Sequence, residues 1–157
     1  MKYLIVYYSR TGNSANIAKK LSAELDSSIE KLEDNRNRSG FGGYMISGWE
    51  ALRKKTPEIN ATTTDPAKFD MVIIGTPVWA ANMSSPVRTY INKYNKYIEN
   101  YALFCTYKGS GAEKTFSKIK KLFSTKASAT MDVFDREIAK NKCSQKISRF
   151  IENISDI

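Results

Sequence analysis

The N-terminal stretch of the chain combines a short apolar strand, a polar turn and the start of a helix, and this order constrains the fold more than any other feature. Tyr3 to Tyr8 is an unbroken apolar and aromatic run. A run without a polar face is typical of a strand buried on both sides of a parallel sheet. Ile17, Leu21 and Leu25 then recur at helical spacing. We therefore predict a central strand that leads through a turn into an amphipathic helix.

The turn between this strand and this helix is rich in hydroxyl groups. Ser9, Thr11, Asn13 and Ser14 surround the single Gly12. Backbone amides and hydroxyls in front of a helix N-terminus suit a phosphate, because the helix dipole also favours negative charge there. The same residue types are ordinary helix N-caps. The turn alone therefore leaves open both a phosphate site and a simple capped helix.

Four further strands follow, and helical patterns separate them along the chain. Met71 to Gly75 and Tyr101 to Thr106 are apolar throughout, whereas Ser28 to Leu32 and Ala129 to Phe134 mix apolar and polar residues. Strands that alternate with helices predict an α/β fold with a parallel sheet and helices on both faces. The three apolar strands belong at the centre and the two mixed strands at the edges. This pattern predicts a doubly wound five-stranded sheet in the order 2-1-3-4-5, with its ligand site where strands 1 and 3 meet.

The segment between the second and third strands is predicted to hold a loop and one helix. Asn35 to Gly43 is rich in Asn, Arg, Ser and Gly, which indicates a loop. Tyr44 to Lys55 then places Ile46, Trp49 and Leu52 or Arg53 on one helical stripe. We expect Thr56-Pro57 to end this helix.

Composition bounds the class of protein. The 157 residues, of which 41% are hydrophobic and 26% charged, fit one globular domain over residues 1–157 without a linker. Because the chain has neither a bilayer-length apolar run nor a signal-peptide pattern, we expect a cytoplasmic protein. Lys108 to Arg149 carries eleven of the basic residues against four acidic ones, within a net charge of +9. A basic balance suits an anionic partner, although solvated helix faces explain it equally well.

The residue types available for catalysis are few. The chain has no histidine, which excludes Ser-His and Cys-His nucleophiles and removes the commonest metal ligand. The two cysteines, Cys105 and Cys143, are far apart and are expected to be buried and inert. We therefore predict no catalytic residue and no metal site, so that a bound cofactor would carry any chemistry.

Three loops carry a resemblance to a known family. The Ser-Arg-Thr-Gly-Asn-Ser turn at Ser9 to Ser14, the Gly75 to Trp79 segment and the Thr106 to Gly109 turn are similar to the three FMN-binding loops of the flavodoxin family. The resemblance covers essentially the whole chain, matches the short-chain type and implies the flavodoxin-like fold. It implies that the first loop holds the FMN phosphate, that Trp79 covers one face of the isoalloxazine and that the third loop lines its pyrimidine side. The implied cofactor-binding residues are Ser9, Arg10, Thr11, Gly12, Asn13, Ser14, Thr76, Pro77, Val78, Trp79, Ala80, Thr106, Tyr107, Lys108 and Gly109.

The chain departs from the family pattern in two respects. Flavodoxins are typically acidic, whereas this chain is basic. Their second loop also commonly has a glycine near the flavin, whereas here it reads Trp79-Ala80-Ala81-Asn82. Positive φ costs a residue with a Cβ about 1–2 kcal/mol, so we expect only Asn82 to tolerate it.

These observations support one leading function and two alternatives. The leading prediction is an FMN-binding electron-transfer protein whose redox partner presents an acidic docking face. The first alternative is an FMN-dependent NAD(P)H or quinone oxidoreductase on the same fold, and the second is a flavin-free basic module that binds nucleic acid. We expect neither membrane insertion nor, under the leading prediction, nucleic-acid binding. The chain is predicted to be a monomer or a homodimer, with the helix around Trp49 as the candidate interface.

Overall fold

The computed structural model describes residues 1–35 and 39–155. Its six strands are β1 (Tyr3–Tyr7), β2 (Ser28–Lys31), β3 (Met71–Trp79), β4 (Asn82–Met83), β5 (Tyr101–Tyr107) and β6 (Thr130–Phe134). Its α-helices are α1 (Asn13–Leu25), α2 (Gly40–Leu52), α3 (Ser85–Tyr94), α4 (Ala112–Lys120), α5 (Asp135–Ala139) and α6 (Ser144–Ser155). Short 3₁₀ helices lie at Pro66–Lys68 and Asn95–Tyr97.

Five strands form a parallel sheet in the order β2-β1-β3-β5-β6. This order is the predicted one, because β4 is a two-residue strand that pairs antiparallel with the end of β3 and stands outside the path. The doubly wound fold is therefore confirmed. The short β4 was not predicted, since two residues are too few to show a periodic pattern.

Alternate residues of the central strands supply the two cores. Leu4 and Ile74 face one layer, which includes Val87 and Tyr90 of α3 and Ile119 of α4. Neighbouring side chains of the same strands face the other layer, which includes α1 and α6. This two-sided burial explains why β1, β3 and β5 have no polar face.

Gly75 makes the packing of one core possible. An ideal Cβ at Gly75 would lie 2.0 Å from Cζ of Phe104 on β5. The absence of a side chain at Gly75 therefore makes room for the phenyl ring of Phe104, which any Cβ at this position would contact too closely.

Helix α2 has different bounds from those predicted. It begins at Gly40 instead of Tyr44 and ends at Leu52 instead of Lys55. The predicted stripe faces outward, with Trp49 and Leu52 exposed by 52% and 64%. Residues 36–38, which lie within the predicted Asn35 to Gly43 loop, are outside the described residues.

Candidate functional site

A cleft of about 580 Å³ lies at the carboxyl edge of the sheet, where the loops after β1, β3 and β5 meet. This is the predicted switch point, and the volume is within the range of small-molecule sites. Residues from these three loops, from α2 and from α5 line it: Arg10, Thr11, Asn13, Tyr44, Pro77, Val78, Trp79, Ala80, Ala81, Thr106, Tyr107, Lys108, Gly109, Ser110 and Asp135.

The loop after β1 is held by its own residues. Ser9 Oγ accepts hydrogen bonds of 3.2 Å from the amides of both Gly12 and Ala15. Gly12 is the N-cap of α1 and has a φ of 96°, a left-handed conformation that glycine adopts without strain. The amides of the first helical turn have no acceptor within a helix, so those of Asn13 and Ser14 remain as donors. This arrangement is suited to binding an anion.

A buried hydrogen bond joins the first loop to the third. Ser14 Oγ and Thr106 Oγ1 are 2.8 Å apart, and both residues are almost fully buried. The two hydroxyls therefore form a hydrogen bond with each other, so neither side chain needs a ligand as its hydrogen-bond partner. Ser14 fixes the position of the loop from below, whereas Thr11 and Asn13 line the cleft.

The end of β3 forms the second wall of the cleft. Thr76 is fully buried, and its Oγ1 accepts a 2.9 Å hydrogen bond from the amide of Ser84, the N-cap of α3. This contact ties β3 to the start of α3. Pro77 and Val78 follow it and do line the cleft.

Trp79 occupies a different position from the one expected. Its position past a strand end suggested an exposed ring, but β3 extends through Trp79 and the residue is only 6% exposed. The ring packs edge-on against Tyr8, with centroids 5.4 Å apart and planes at 79°. Its cleft-facing atoms form part of the lining. Tyr8, just after β1, supplies the apolar contact that draws the indole inward.

The turn that connects β3 to β4 is a two-residue hairpin with an unusual backbone. Ala80 and Ala81 have φ values of 48° and 53°, and Trp79 pairs with Asn82. Positive φ at both central residues is the pattern of a type I′ turn, which favours asparagine and glycine. The expectation that only Asn82 would tolerate positive φ is wrong, since both alanines adopt it and Asn82 does not. The register of the hairpin imposes this conformation.

Neighbouring elements hold this hairpin in place. Lys118 Nζ on α4 donates a 2.9 Å hydrogen bond to the carbonyl oxygen of Ala81. A Cβ at Gly111 would lie 2.8 Å from Ala81 Cα, so the loop after β5 packs directly on the turn. Asn82 donates from Nδ2 to the carbonyl oxygen of Ala51 at 2.9 Å, and its Oδ1 accepts from Arg88 Nη2 at 2.8 Å. The strained turn is therefore supported from three sides.

Positive charge is concentrated behind the hairpin. Arg88 is 6% exposed, and burial lowers its pKa. Burial also lowers the pKa of Lys118, and the charges of Arg88, Lys54 and Lys114 lower it further. These cations lie behind a hairpin that lines the cleft, so their charge favours an anionic ligand there.

The loop after β5 forms the third wall. Tyr107 donates a 2.9 Å hydrogen bond from its hydroxyl to Asp132 Oδ2, and its ring packs edge-on against Phe134. Burial and this hydrogen bond raise the pKa of Tyr107 to about 12, so the phenol is neutral. Lys108 and Gly109 are exposed at the rim. The side chain of Tyr107 is thus fixed, whereas the turn after it is open to solvent.

The two cysteines lie away from this chemistry. Cys105 and Cys143 are buried and free. Burial raises the pKa of the Cys105 thiol, which keeps it protonated and unreactive. Among the residues that the structure describes, no cluster of acidic and cysteine side chains could hold a metal ion, and no helix is long and apolar enough to cross a membrane.

Comparison with known proteins identifies the family. Residues 47–154 match the family model described as flavodoxin. The chain belongs to the flavodoxin family. No curated protein matches it in sequence. A flavoprotein from Lactobacillus acidophilus NCFM, solved in complex with FMN, is 25% identical and superimposes with a TM-score of 0.70 over 88% of this chain and 97% of its own.

More distant structures share the fold. A flavoprotein of Bacteroides eggerthii DSM 20697 is 20% identical, with a TM-score of 0.74 over 88% of this chain and 94% of its own. Oxidised flavodoxin 1 from Bacillus cereus is 14% identical, with a TM-score of 0.54 over 100% of this chain and 99% of its own.

Most of the residues predicted from the flavodoxin resemblance line the cleft, and four do not. Ser9, Gly12, Ser14 and Thr76 lie behind the lining, where they shape the loops. Tyr44, Ala81, Ser110 and Asp135 line the cleft and were not predicted. Ala81, Ser110 and Asp135 follow the carboxyl ends of β3, β5 and β6. They therefore agree with the rule that ligands bind at the carboxyl edge of a parallel sheet. Tyr44 carried no such signal, because its position depends on how α2 packs.

Proposed function

We propose that the chain binds FMN in this cleft and uses it to transfer electrons. The observation that carries the proposal is the loop after β1, which places Thr11 and Asn13 in the lining of the cleft at the N-terminus of α1, while the other two loops complete the cleft. Backbone amides at a helix N-terminus favour a ligand with an anionic group. The FMN prediction agrees with the flavodoxin family and with the FMN bound to the Lactobacillus acidophilus relative.

The residues around the cleft fit the parts of this cofactor. The Asn13 and Ser14 amides and the Thr11 hydroxyl would hold the phosphate, while Pro77 to Ala80 and Tyr107 to Gly109 would border the ring. When bound, FMN supplies the capacity to accept and donate one or two electrons. Arg10 and Lys108, at the rim, favour negative charge on the reduced ring.

The basic balance supports an acidic redox partner. The net charge is +9, and opposite charges on two proteins speed their encounter and orient it. We propose that such a partner exchanges electrons with the flavin at the rim around Lys108.

One observation favours the reductase alternative. Trp79 lines the cleft, but it is only 6% exposed and packs edge-on against Tyr8. An indole held in this way leaves more of a bound flavin accessible to a second planar molecule, such as a nicotinamide or a quinone, than a fully exposed ring would.

An absorption experiment tests the proposal and separates the alternatives. The purified protein is reconstituted with FMN and its flavin band is followed during stepwise chemical reduction and then with NADH or NADPH. Reversible bleaching by the chemical reductant alone supports the carrier, and bleaching by a pyridine nucleotide supports the reductase. A protein that takes up no FMN contradicts both and leaves the nucleic-acid-binding module.

A further inference from the structure

Helix α2 turns its large apolar side chains away from the sheet. Phe41, Met45, Trp49 and Leu52 recur at positions i, i+4, i+8 and i+11, which places them on one face. They are 81%, 56%, 52% and 64% exposed. We refer to these four residues as the outer stripe. A helix in a monomer normally buries such a stripe, so its exposure calls for a partner.

Polar contacts on the opposite face prevent α2 from turning the outer stripe inward. Its buried residues are small or polar, including Gly43, Ser47, Glu50 and Ala51. Ser85 Oγ donates a 2.9 Å hydrogen bond to Glu50 Oε2, and Asn82 Nδ2 donates to the Ala51 carbonyl oxygen. A rotation of α2 that buried the outer stripe would break both hydrogen bonds and leave their polar groups exposed or without hydrogen-bond partners. The outward orientation is therefore built into the fold.

Two glycines of α2 have no function in packing within the chain. A Cβ at Gly42 or Gly48 would meet no atom within 4 Å. Glycine inside a helix costs about 0.5–1 kcal/mol relative to alanine. Because these glycines have no side chains, they leave space beside the apolar side chains in which another backbone can approach closely. The two positions flank the outer stripe, so the approach would occur on the same side of the helix.

The area of the exposed residues matches what a dimer requires. Tyr44 and Ile46, beside the outer stripe, are also exposed by 57% and 45%. Together the six side chains expose on the order of 500–900 Å², taking roughly 150–250 Å² for a large side chain. A standard interface buries about 800 Å² per partner. A patch this apolar suits a homodimer of standard interface size better than a transient electron-transfer contact, which is smaller and more polar.

Charge determines how two copies can meet. Arg53, Lys54 and Lys55 follow the C-terminal end of the helix, and Lys55 Nζ lies 5.7 Å from the Trp49 ring centroid. Parallel α2 helices would bring these cations together. An antiparallel pair about a twofold axis separates them by the length of the helix, about 20 Å for thirteen residues. That separation is about two Debye lengths at physiological salt, so the repulsion is screened.

We propose that the occupant of the outer stripe is a second copy of this chain, packed antiparallel through α2 to form a homodimer. Each Met45 then lies opposite Trp49 of the second copy, near the twofold axis. The glycines Gly42 and Gly48 accept the neighbouring side chains.

The dimer also changes the cleft. Tyr44 lies on α2 and lines the cleft, where the Arg10 guanidinium is 5.4 Å from its ring centroid. In the antiparallel pair the basic C-terminal turn of the second copy, from Arg53 to Lys55, borders this end of α2. On the proposed FMN function, which this consequence presupposes, the second copy supplies cations at the cleft mouth for an anionic substrate such as a pyridine nucleotide.

The test is the mass of the FMN-reconstituted protein in solution, measured by sedimentation velocity over a range of concentrations. We expect twice the mass of the chain. Met45→Glu and Trp49→Glu each place a charge in the stripe and should raise the dimer dissociation constant about 30-fold or more, the effect of losing a central interface residue. Tyr97→Glu is the matched control, because Tyr97 is equally exposed at 59% but lies on a 3₁₀ helix outside α2. This variant should remain a dimer. Far-UV circular dichroism checks that all three variants fold.

Either of two results overturns the proposal: a wild-type monomer at about 100 μM, well above the dissociation constant of a permanent dimer, or a dimer that survives both stripe variants. If the monomer co-sediments with phosphatidylglycerol vesicles, a lipid surface covers the outer stripe instead. FMN uptake is scored separately by absorbance. A dimer without FMN contradicts the proposed function alone, and an FMN-loaded monomer contradicts the interface alone.

Discussion

The loop after β1 and the β3–β4 hairpin form opposite parts of the same cleft, and both use left-handed backbone. The first does so at Gly12, with φ 96°. The second does so at Ala80 and Ala81, with φ 48° and 53°. Glycine adopts this region freely, whereas each alanine costs about 1–2 kcal/mol. Both regions therefore adopt left-handed backbone, but the conformational strain is low at Gly12 and higher at Ala80 and Ala81.

The difference shows where the geometry of each region comes from. Ser9 and Gly12 stabilise the first loop within one short segment. The hairpin instead depends on distant residues, because Lys118, Gly111 and the Asn82 side chain hold it from outside. A local loop is set by its own residues, while a strained hairpin persists only if its surroundings are intact.

The largest effect is expected from adding a side chain where the third loop packs on the hairpin. Gly111→Ala places a Cβ 2.8 Å from Ala81 Cα at a position with φ 104°. We expect the free energy of unfolding to fall by roughly 2–4 kcal/mol from backbone strain and overpacking. Urea denaturation of the apoprotein measures this. Gly109→Ala, where a Cβ meets nothing within 4 Å, should change stability by less than about 0.5 kcal/mol.

A somewhat smaller loss is expected from removing the polar anchor of the hairpin. Asn82→Ala deletes the acceptor of the buried Arg88 guanidinium and the donor to Ala51. Leaving a buried charged donor unpaired should cost about 2–3 kcal/mol, again measured in urea. Asn16→Ala, on the exposed side of α1, serves as control and should be close to neutral. A neutral Asn82→Ala would mean that the hairpin does not depend on this anchor.

Relieving the strain should produce a smaller effect of opposite sign. Ala80 is exposed and has positive φ, so Ala80→Gly should stabilise the apoprotein by about 0.5–1 kcal/mol. The melting temperature should rise by roughly 2–4 °C per kcal/mol. The same substitution in a regular helix, Ala23→Gly on the exposed face of α1, should lower it. If both variants lower the melting temperature, Ala80 is not strained.

The smallest effect concerns the charge near the flavin. Lys108→Glu replaces a cation at the rim of the cleft with an anion, which disfavours negative charge on reduced FMN. The reduction potential should fall by an amount on the order of tens of millivolts, reduced further by salt. Lys68→Glu is the control, because Lys68 precedes β3 at the opposite edge of the sheet. Spectroscopic potentiometry measures the reduction potential of both variants. An equal shift in the two variants would mean that only the net charge of the protein matters and not the position of Lys108.

The sheet and the first loop could be predicted because their signals are local. An apolar run such as Leu4 to Val6 is typical of a strand buried on both faces of a sheet. A glycine just before a helix, such as Gly12, indicates a left-handed backbone at that position. The strand order then followed from ranking the strands by polarity. The convergence of the three loops followed from the rule that ligands bind at the carboxyl edge, whereas FMN as their ligand came from the resemblance to the flavodoxin family.

The remaining features depend on contacts between distant residues. The spacing of Trp49 and Leu52 predicts a stripe but does not say which side faces the core, and that choice depends on Glu50 meeting Ser85. Trp79 was expected to be exposed because the residue it packs against, Tyr8, is distant in sequence and lies just after β1. Alanine disfavours positive φ, but Ala80 adopts it because the pairing of β3 with β4 requires a tight turn at this position.

The central claim is that the loop after β1 binds a phosphate, and calorimetric titration of the apoprotein with FMN and with riboflavin tests it directly. The amides of Asn13 and Ser14 and the Thr11 hydroxyl should make FMN bind about 100-fold more tightly or better, since each charge-assisted hydrogen bond contributes about 1.5–3 kcal/mol. Thr11→Ala should weaken FMN by about 1–3 kcal/mol and leave riboflavin unchanged. Equal affinities for the two flavins would contradict the account.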